Sequence, residues 1–222
     1  MRQNTLACCP FMSLGNRIHT AQPQSSLTTV SYPAIYIADF TERTKHMPVA
    51  LRRHVEITAS QQNEPSGTAL MDSLIIHNAN NYDVEVVLFD DDVYNSAITT
   101  RLHANQHCEG TFSILDKEPS RWIAIMELKD CDPNSHFKSK HAFKAKRQIF
   151  NVVQDLRARG IITTERLYGL ISWPQVKTSF NSMITGADLI AATRYKKYTG
   201  VTYYGANEAY IIDKEVLQPV VV

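Results

Sequence analysis

The chain has 222 residues, of which 44% are hydrophobic and 20% charged. That composition excludes wholesale disorder and collagen-like repeats, and the length suits one domain with an extension or two small ones. With 23 Lys+Arg against 22 Asp+Glu the net charge is +1, so no global field draws the protein to nucleic acid or membrane; steering has to come from local asymmetry.

Residues 1–31 are polar and irregular, with Pro10, Pro23 and the run Gln22 to Thr29, and read as a flexible or loosely packed arm. They lack a continuous apolar signal region, and no later run approaches the ~20 residues of a spanning helix, so a cytoplasmic protein without membrane contact is expected. Cys8, Cys9, Cys108 and Cys131 fit neither a metal-knuckle spacing nor a disulfide framework and read as reduced thiols. Order is expected from about residue 32, in a single α/β domain over 32–222. PAIYIADF (33–40) reads as a short strand. Residues 48–60 (PVALRRHVEITAS) show helical apolar spacing at Val49, Leu51 and Val55, with Pro48 at a first turn. Residues 68–78 fit helix or strand, and 83–89 (DVEVVLF) alternates as a strand, closed by Asp90, Asp91 and Asp92.

Strand-like runs follow near 97–104 and at 111–115, then a turn signal at 116–120 (DKEPS). Residues 121–129 (RWIAIMELK) form the clearest strand, apolar on both faces as in the middle of a covered sheet. A helix is expected from about His136 to Arg159. At 100° per residue Ala142, Ala145, Ile149, Val152, Val153 and Leu156 share one arc, with Lys140, Lys144, Arg147 and Asn151 opposite and Gly160 as the stop. LYGLISW (167–173) is another buried strand. A helical stretch around 180–193 and a hairpin candidate, RYKKY-TG-VTYYG, complete the chain. A helix joining two buried strands makes that pair parallel, whereas the preceding pair is an antiparallel hairpin; the sheet is therefore mixed.

Glu127 and Lys129 carry the chemistry. Two apart on a strand, they share a face, at the end of a segment otherwise apolar from Trp122 to Leu128. Two charges there need a reason, because an unpaired buried charge costs several kcal/mol. They pair at the sheet rim, or they serve catalysis: a carboxylate holding a divalent metal beside an ammonium can activate water against a phosphodiester.

On these residues the chain resembles the PD-(D/E)xK nuclease superfamily. The matching features are the strand IAIMELK with its Glu127-Leu128-Lys129 tripeptide, the strand–turn–strand before it and the helix with Gln148 after it, about 109–173 in all. The resemblance implies a restriction-endonuclease-like core, a mixed central sheet with flanking helices, and Mg²⁺- or Mn²⁺-dependent endonuclease activity on DNA. It implies Glu127 as a metal ligand, Lys129 as the catalytic lysine and Gln148 as an assisting residue. The chain departs from the pattern upstream, where no Pro-Asp pair precedes the tripeptide.

Asp116 is too far to replace that acid. At the mouth of the turn it lies about 20 Å from Glu127, at ~3.3 Å per residue. With a five-residue loop at 116–120, Leu115 faces Arg121 and Glu109 faces Glu127, on the same side of the sheet. With a four-residue loop, Gly110 faces Glu127 and Glu109 turns away. Glu109 is thus the candidate second ligand in one register only, and Asp116 suits the first position of a type I turn. Glu56 and Glu85 are the options for a third acid.

Residues 136–147 carry Lys138, Lys140, Lys144, Lys146 and Arg147 and no acid: a phosphate-binding strip, or a solvated outer face. Tyr195, Lys196, Lys197, Tyr198, Tyr203 and Tyr204 suit stacking on bases or an edge hairpin with half-buried tyrosines. The expected nucleic-acid contacts are Lys138, Lys140, Lys144, Arg147, Lys196 and Lys197. Asp90–Asp92 suit a cation or a strand-end turn. His103, His107 and Cys108 would need a helix to share zinc, and their flanks read as strand or loop. Ser172-Trp173-Pro174 has no G-x-S-x-G context, and no Walker or G-x-G-x-x-G loop occurs. Three functions follow: a metal-dependent nuclease, as a homodimer or in a larger assembly; an inactive nuclease-fold subunit that binds nucleic acid; and a protein-interaction domain with Glu127–Lys129 as a rim ion pair.

Overall fold

The computed structural model describes residues 12–89, 94–98, 106–115, 121–129, 139–176, 180–186 and 189–221. Helix α1 (Leu14–Ala21) leads to strands β1 (Ser26–Val30) and β2 (Ala34–Asp39), short helix α2 (Thr41–Thr44), and strands β3 (Val55–Thr58), β4 (Leu74–His77) and β5 (Val84–Leu88). Strands β6 (Gly110–Ile114) and β7 (Trp122–Leu128) follow, then helix α3 (Ser139–Ala158) and strand β8 (Arg166–Ser172). Helices α4 (Asn181–Thr185) and α5 (Leu189–Thr199) precede strands β9 (Val201–Gly205), β10 (Glu208–Ile211) and β11 (Leu217–Val220).

The molecule is an α/β protein with two mixed sheets, ordered β1-β5-β6-β7-β8-β9 and β11-β10-β4-β2-β3. β5, β6 and β7 form an antiparallel meander, and α3 crosses over to β8, which runs parallel to β7. Every residue of β7 is buried because both of its faces are covered. Ile123 and Ile125 pack under α3 against Ala145, Ile149 and Val152, the arc that the helical periodicity selects. Trp122, Ala124, Met126 and Leu128 face the second sheet, meeting Ile35, Ile37, Leu74 and Ile76. The expected mixed sheet with flanking helices is present, and a second sheet accompanies it. Helices cover one face of the central sheet, and the five-stranded sheet covers the other.

Three expectations change. Residues 13–30 are not a loose arm. Ser13 caps α1, whose Leu14, Ile18 and Ala21 enter the core, and β1 pairs antiparallel with β5 as the sheet edge. The buried carboxylate of Glu85 on β5 accepts the Gly15 N–H at 3.0 Å and the Ser13 hydroxyl, which anchors that helix. Its three inward residues are scattered among polar ones, so composition alone hides the amphipathic turn.

The helix expected over 48–60 is one 3-10 turn, Val49–Leu51, with Val49 and Leu51 exposed, followed by β3. The β-branched Val55, Ile57 and Thr58 gain more by pairing with β2 than a short helix would return. The expected hairpin at 194–205 is a helix end. RYKKYT closes α5, Gly200 takes the left-handed conformation (φ 70°) that terminates a helix, and VTYYG is β9, parallel to β8. The Thr-Gly pair, which suits a hairpin turn equally well in sequence, is a C-cap.

Candidate active site at the end of the central strand

Glu127 is the penultimate residue of β7, on the α3 side of the sheet by the alternation that puts Ile123 and Ile125 there. Its side chain is fully enclosed. Lys129, a quarter exposed, forms an ion pair with Glu127 Oε1. The second oxygen, Oε2, is buried and accepts no hydrogen bond among the described residues. Burial pushes the Glu127 carboxyl up to about 7, opposed chiefly by the Lys129 ammonium. Lys129 in turn is held above its ordinary value by Glu127, with Glu109 and Asp39 adding to the negative field and burial opposing. It is therefore an ammonium at neutral pH, able to donate hydrogen bonds and unable to accept a proton.

The β6–β7 ladder pairs Gly110 with Met126 and Thr111 with Ile125. That is the register in which Leu115 would face Arg121 and Glu109 would face Glu127. At Glu109 the ladder deviates. Its N–H donates to the Met126 carbonyl at 3.1 Å, so Glu109 and Gly110 both address Met126, the pattern of a β-bulge. On the other side its carbonyl still accepts the Phe89 N–H at 2.9 Å. The half-buried Glu109 side chain lies within electrostatic reach of Lys129 and of the buried Cys108 thiol, which burial pushes well up.

Gln148 is buried on α3. Its amide donates to the His107 carbonyl at 2.8 Å, while its Oε1 is enclosed without a hydrogen-bond partner among the described residues. It thus fastens α3 to the segment that delivers Glu109. His107 is also buried and stacks on Tyr94 with ring centroids 5.5 Å apart. Among the described residues no group of three or more His, Cys, Asp or Glu converges on one point. Ser172 is buried against the Asn207 side chain at 3.0 Å and sits in a structural network.

Neither option for a third acid reaches this site. Glu56, on β3 in the other sheet, takes both forks of Arg53 at 2.6 Å, and Glu85 holds the start of α1. The acid that does reach it is Asp39, the last residue of β2, whose charge acts on both Glu127 and Lys129. Asp39, Asp72 and Lys129 line one small cleft with Leu128, Pro174 and Gln175. The sequence signal for Asp39 is a polar residue ending an apolar strand, which is too common to single it out; only the packing of the second sheet on the first brings it here.

Of the basic residues, Lys144 and Arg147 are exposed on α3, and the Lys144 charge reaches Glu127. Lys140 lies in the first turn of α3. Lys196 and Lys197 are exposed on α5. Lys146 departs from the expected strip. It turns inward, and its ammonium donates to the Ile184 carbonyl at 2.9 Å. Tyr203 and Tyr204 are strand residues in ring contacts with Tyr195 and Tyr168, whereas Tyr198 is exposed beside Phe150. Lys138, Asp116, Asp90–Asp92 and His103 lie outside the described residues.

Comparison with known proteins returned no matching family model, no curated protein of significant sequence similarity and no solved structure of significant structural similarity. Among the described residues no helix is long and apolar enough to cross a membrane.

Proposed function

We propose that this chain is a divalent-metal-dependent, nuclease-like phosphodiester hydrolase acting on DNA, with Glu127 and Glu109 as metal ligands and Lys129 beside the attacking water. The observation that carries the reading is the Glu127 carboxylate: enclosed at the end of the central strand, one oxygen on Lys129 and the other without a hydrogen-bond donor among the described residues. A buried carboxylate oxygen without a donor is costly, and a hard cation is the partner its chemistry suits. The antiparallel meander β5-β6-β7 followed by the crossover helix α3 and the parallel strand β8 adds support, because that arrangement brings β6 and the end of β7 together.

Mg²⁺ or Mn²⁺ at this site would lower the pKa of a bound water and neutralise charge developing on the phosphate. The chain's own residues do the rest. Lys129, fixed against Glu127, donates to a non-bridging phosphate oxygen and leaves removal of the water proton to solvent. The water oxygen bonds to phosphorus and its proton passes to solvent, the ester P–O bond breaks, and the departing alkoxide takes a proton from solvent. Gln148 acts at one remove, fixing the His107–Glu109 segment through the His107 carbonyl. Lys144 and Arg147 supply cations along α3 for the strand backbone.

Plasmid nicking tests this. Purified protein should convert supercoiled to open-circular DNA with Mg²⁺ or Mn²⁺, stop with EDTA, and lose at least a hundredfold in rate as Lys129→Ala or Glu127→Gln. Full activity in Lys129→Ala would refute it.

A second reading rests on the same enclosure. A carboxylate sealed on all sides and already paired can be a structural rim contact, leaving a nuclease-like fold that binds DNA without cutting it. That reading predicts salt-sensitive DNA binding that persists in Glu127→Ala, with no Mg²⁺-dependent nicking.

A further inference from the structure

A cavity of about 390 Å³ lies between α3, the end of α4, α5 and β9, away from the Glu127 site and independent of the reading above. Its size falls in the range of small-molecule sites. The wall is mostly apolar: Ile184, Val201 and the rings of Tyr195 and Tyr203, whose centroids are 5.5 Å apart at 46°. Gly186 closes one side with φ 84° and ψ 154°, a backbone conformation that side-chain-bearing residues strongly disfavour.

Among the described residues the lining holds two cations, Lys146 and Lys196, and no acid. Lys146 is partly buried. Its ammonium has three donors, of which one goes to the Ile184 carbonyl, while the Tyr195 ring centroid lies 5.3 Å away. Among the described residues neither lysine has a carboxylate partner. Desolvation with nothing to offset it depresses the Lys146 pKa. A half-buried cation at the wall of an apolar, ring-lined cavity is electrostatically incomplete, and a ligand that brings the missing negative charge on a flat hydrophobic body completes it.

We propose that this cavity binds a small planar aromatic anion, its ring against Tyr195 and Tyr203 and its carboxylate or phosphate on Lys146 and Lys196. The shared chemistry fits an aromatic carboxylate or a nucleoside monophosphate, and the probes separate these two sources.

The experiment titrates the full chain with 1-naphthoate and with AMP, each against its neutral partner, 1-naphthalenemethanol and adenosine. Affinity is read by calorimetry and location by methyl chemical shifts. At least one anion binds ten or more times tighter than its neutral partner, and the better anion identifies the source. Lys146→Met removes that preference, while Glu127→Gln leaves it unchanged. Shift changes in the wild-type protein centre on the Ile184 and Val201 methyls, a readout that needs no variant to fold. No binding of either anion, equal binding of the neutral partners, a preference that survives Lys146→Met or is lost in Glu127→Gln, or shifts confined to other regions would overturn the proposal.

Discussion

Replacing Glu127 by glutamine should shift relative stability in the variant's favour as pH rises through neutrality, while removing its chemistry. The buried carboxyl titrates near 7 in the folded chain, against 4.5 when unhindered. Between those values the native state holds a proton that the unfolded chain has released. Unfolding free energy therefore falls as pH rises, by about 1.4 kcal/mol per pH unit. The contribution is fully present below pH 4.5, is lost through pH 7 and is flat above it, amounting to about 3 kcal/mol. The glutamine side chain of the variant has nothing to titrate, and Lys129 is present in both proteins, with its own linkage at alkaline pH. The difference in unfolding free energy, variant minus wild type, should thus grow in the variant's favour by about 3 kcal/mol between about pH 4.5 and pH 8. In a chain of this length that is roughly 6–12 °C of relative Tm. Urea titrations at pH 5, 6, 7 and 8 measure it, and effects of other groups cancel in the difference. A difference that stays flat with pH would show that the Glu127 carboxyl is not held near 7 by burial, and the reasoning would fail.

Other consequences follow from neighbouring contacts. Asp155, fully buried on α3, accepts the Tyr94 hydroxyl at 3.0 Å, the Arg159 Nε–H at 2.8 Å and the Ala97 N–H, so Asp155→Ala should cost about 3–5 kcal/mol in urea unfolding; a loss under 1 kcal/mol would contradict the network. Gly15→Ala places a Cβ 2.8 Å from Glu85 Oε2, which forces the capping carboxylate aside; amide exchange across α1 should quicken at least tenfold, and unchanged protection would show that the anchor is dispensable. Gly200→Ala meets both an unfavourable left-handed φ of 70° and a clash with Arg157 Nη2, and should lower stability by about 1–2 kcal/mol, with a neutral result arguing against the C-cap geometry.

Legibility from sequence tracks how local the determining physics is. α3 is readable because six apolar residues at helical spacing bury one arc, and all six are enclosed. β7 is readable because a strand covered on both faces must be apolar throughout. The β6–β7 register is one of the two that the turn length leaves open. What escapes is long-range. The second sheet, whose β4 and β10 are far apart in sequence yet pair parallel, leaves no short-range mark. The arrival of Asp39 beside Glu127 depends on that sheet's packing. The bulge at Glu109 and the inward turn of Lys146 are likewise decided by neighbours rather than by spacing.

The proposed function depends on a divalent cation held by Glu127, whose Oε2 has no donor among the described residues, with Glu109 as its second ligand. Titration of the metal-free protein with Mn²⁺ at pH 8, followed by calorimetry or by loss of the free-ion electron paramagnetic resonance signal, tests it most directly. The account predicts saturable binding that Glu127→Gln abolishes, that Glu109→Gln weakens at least tenfold and that Glu56→Gln leaves unchanged. Absence of saturable binding, or binding that is indifferent to Glu127→Gln, would contradict it.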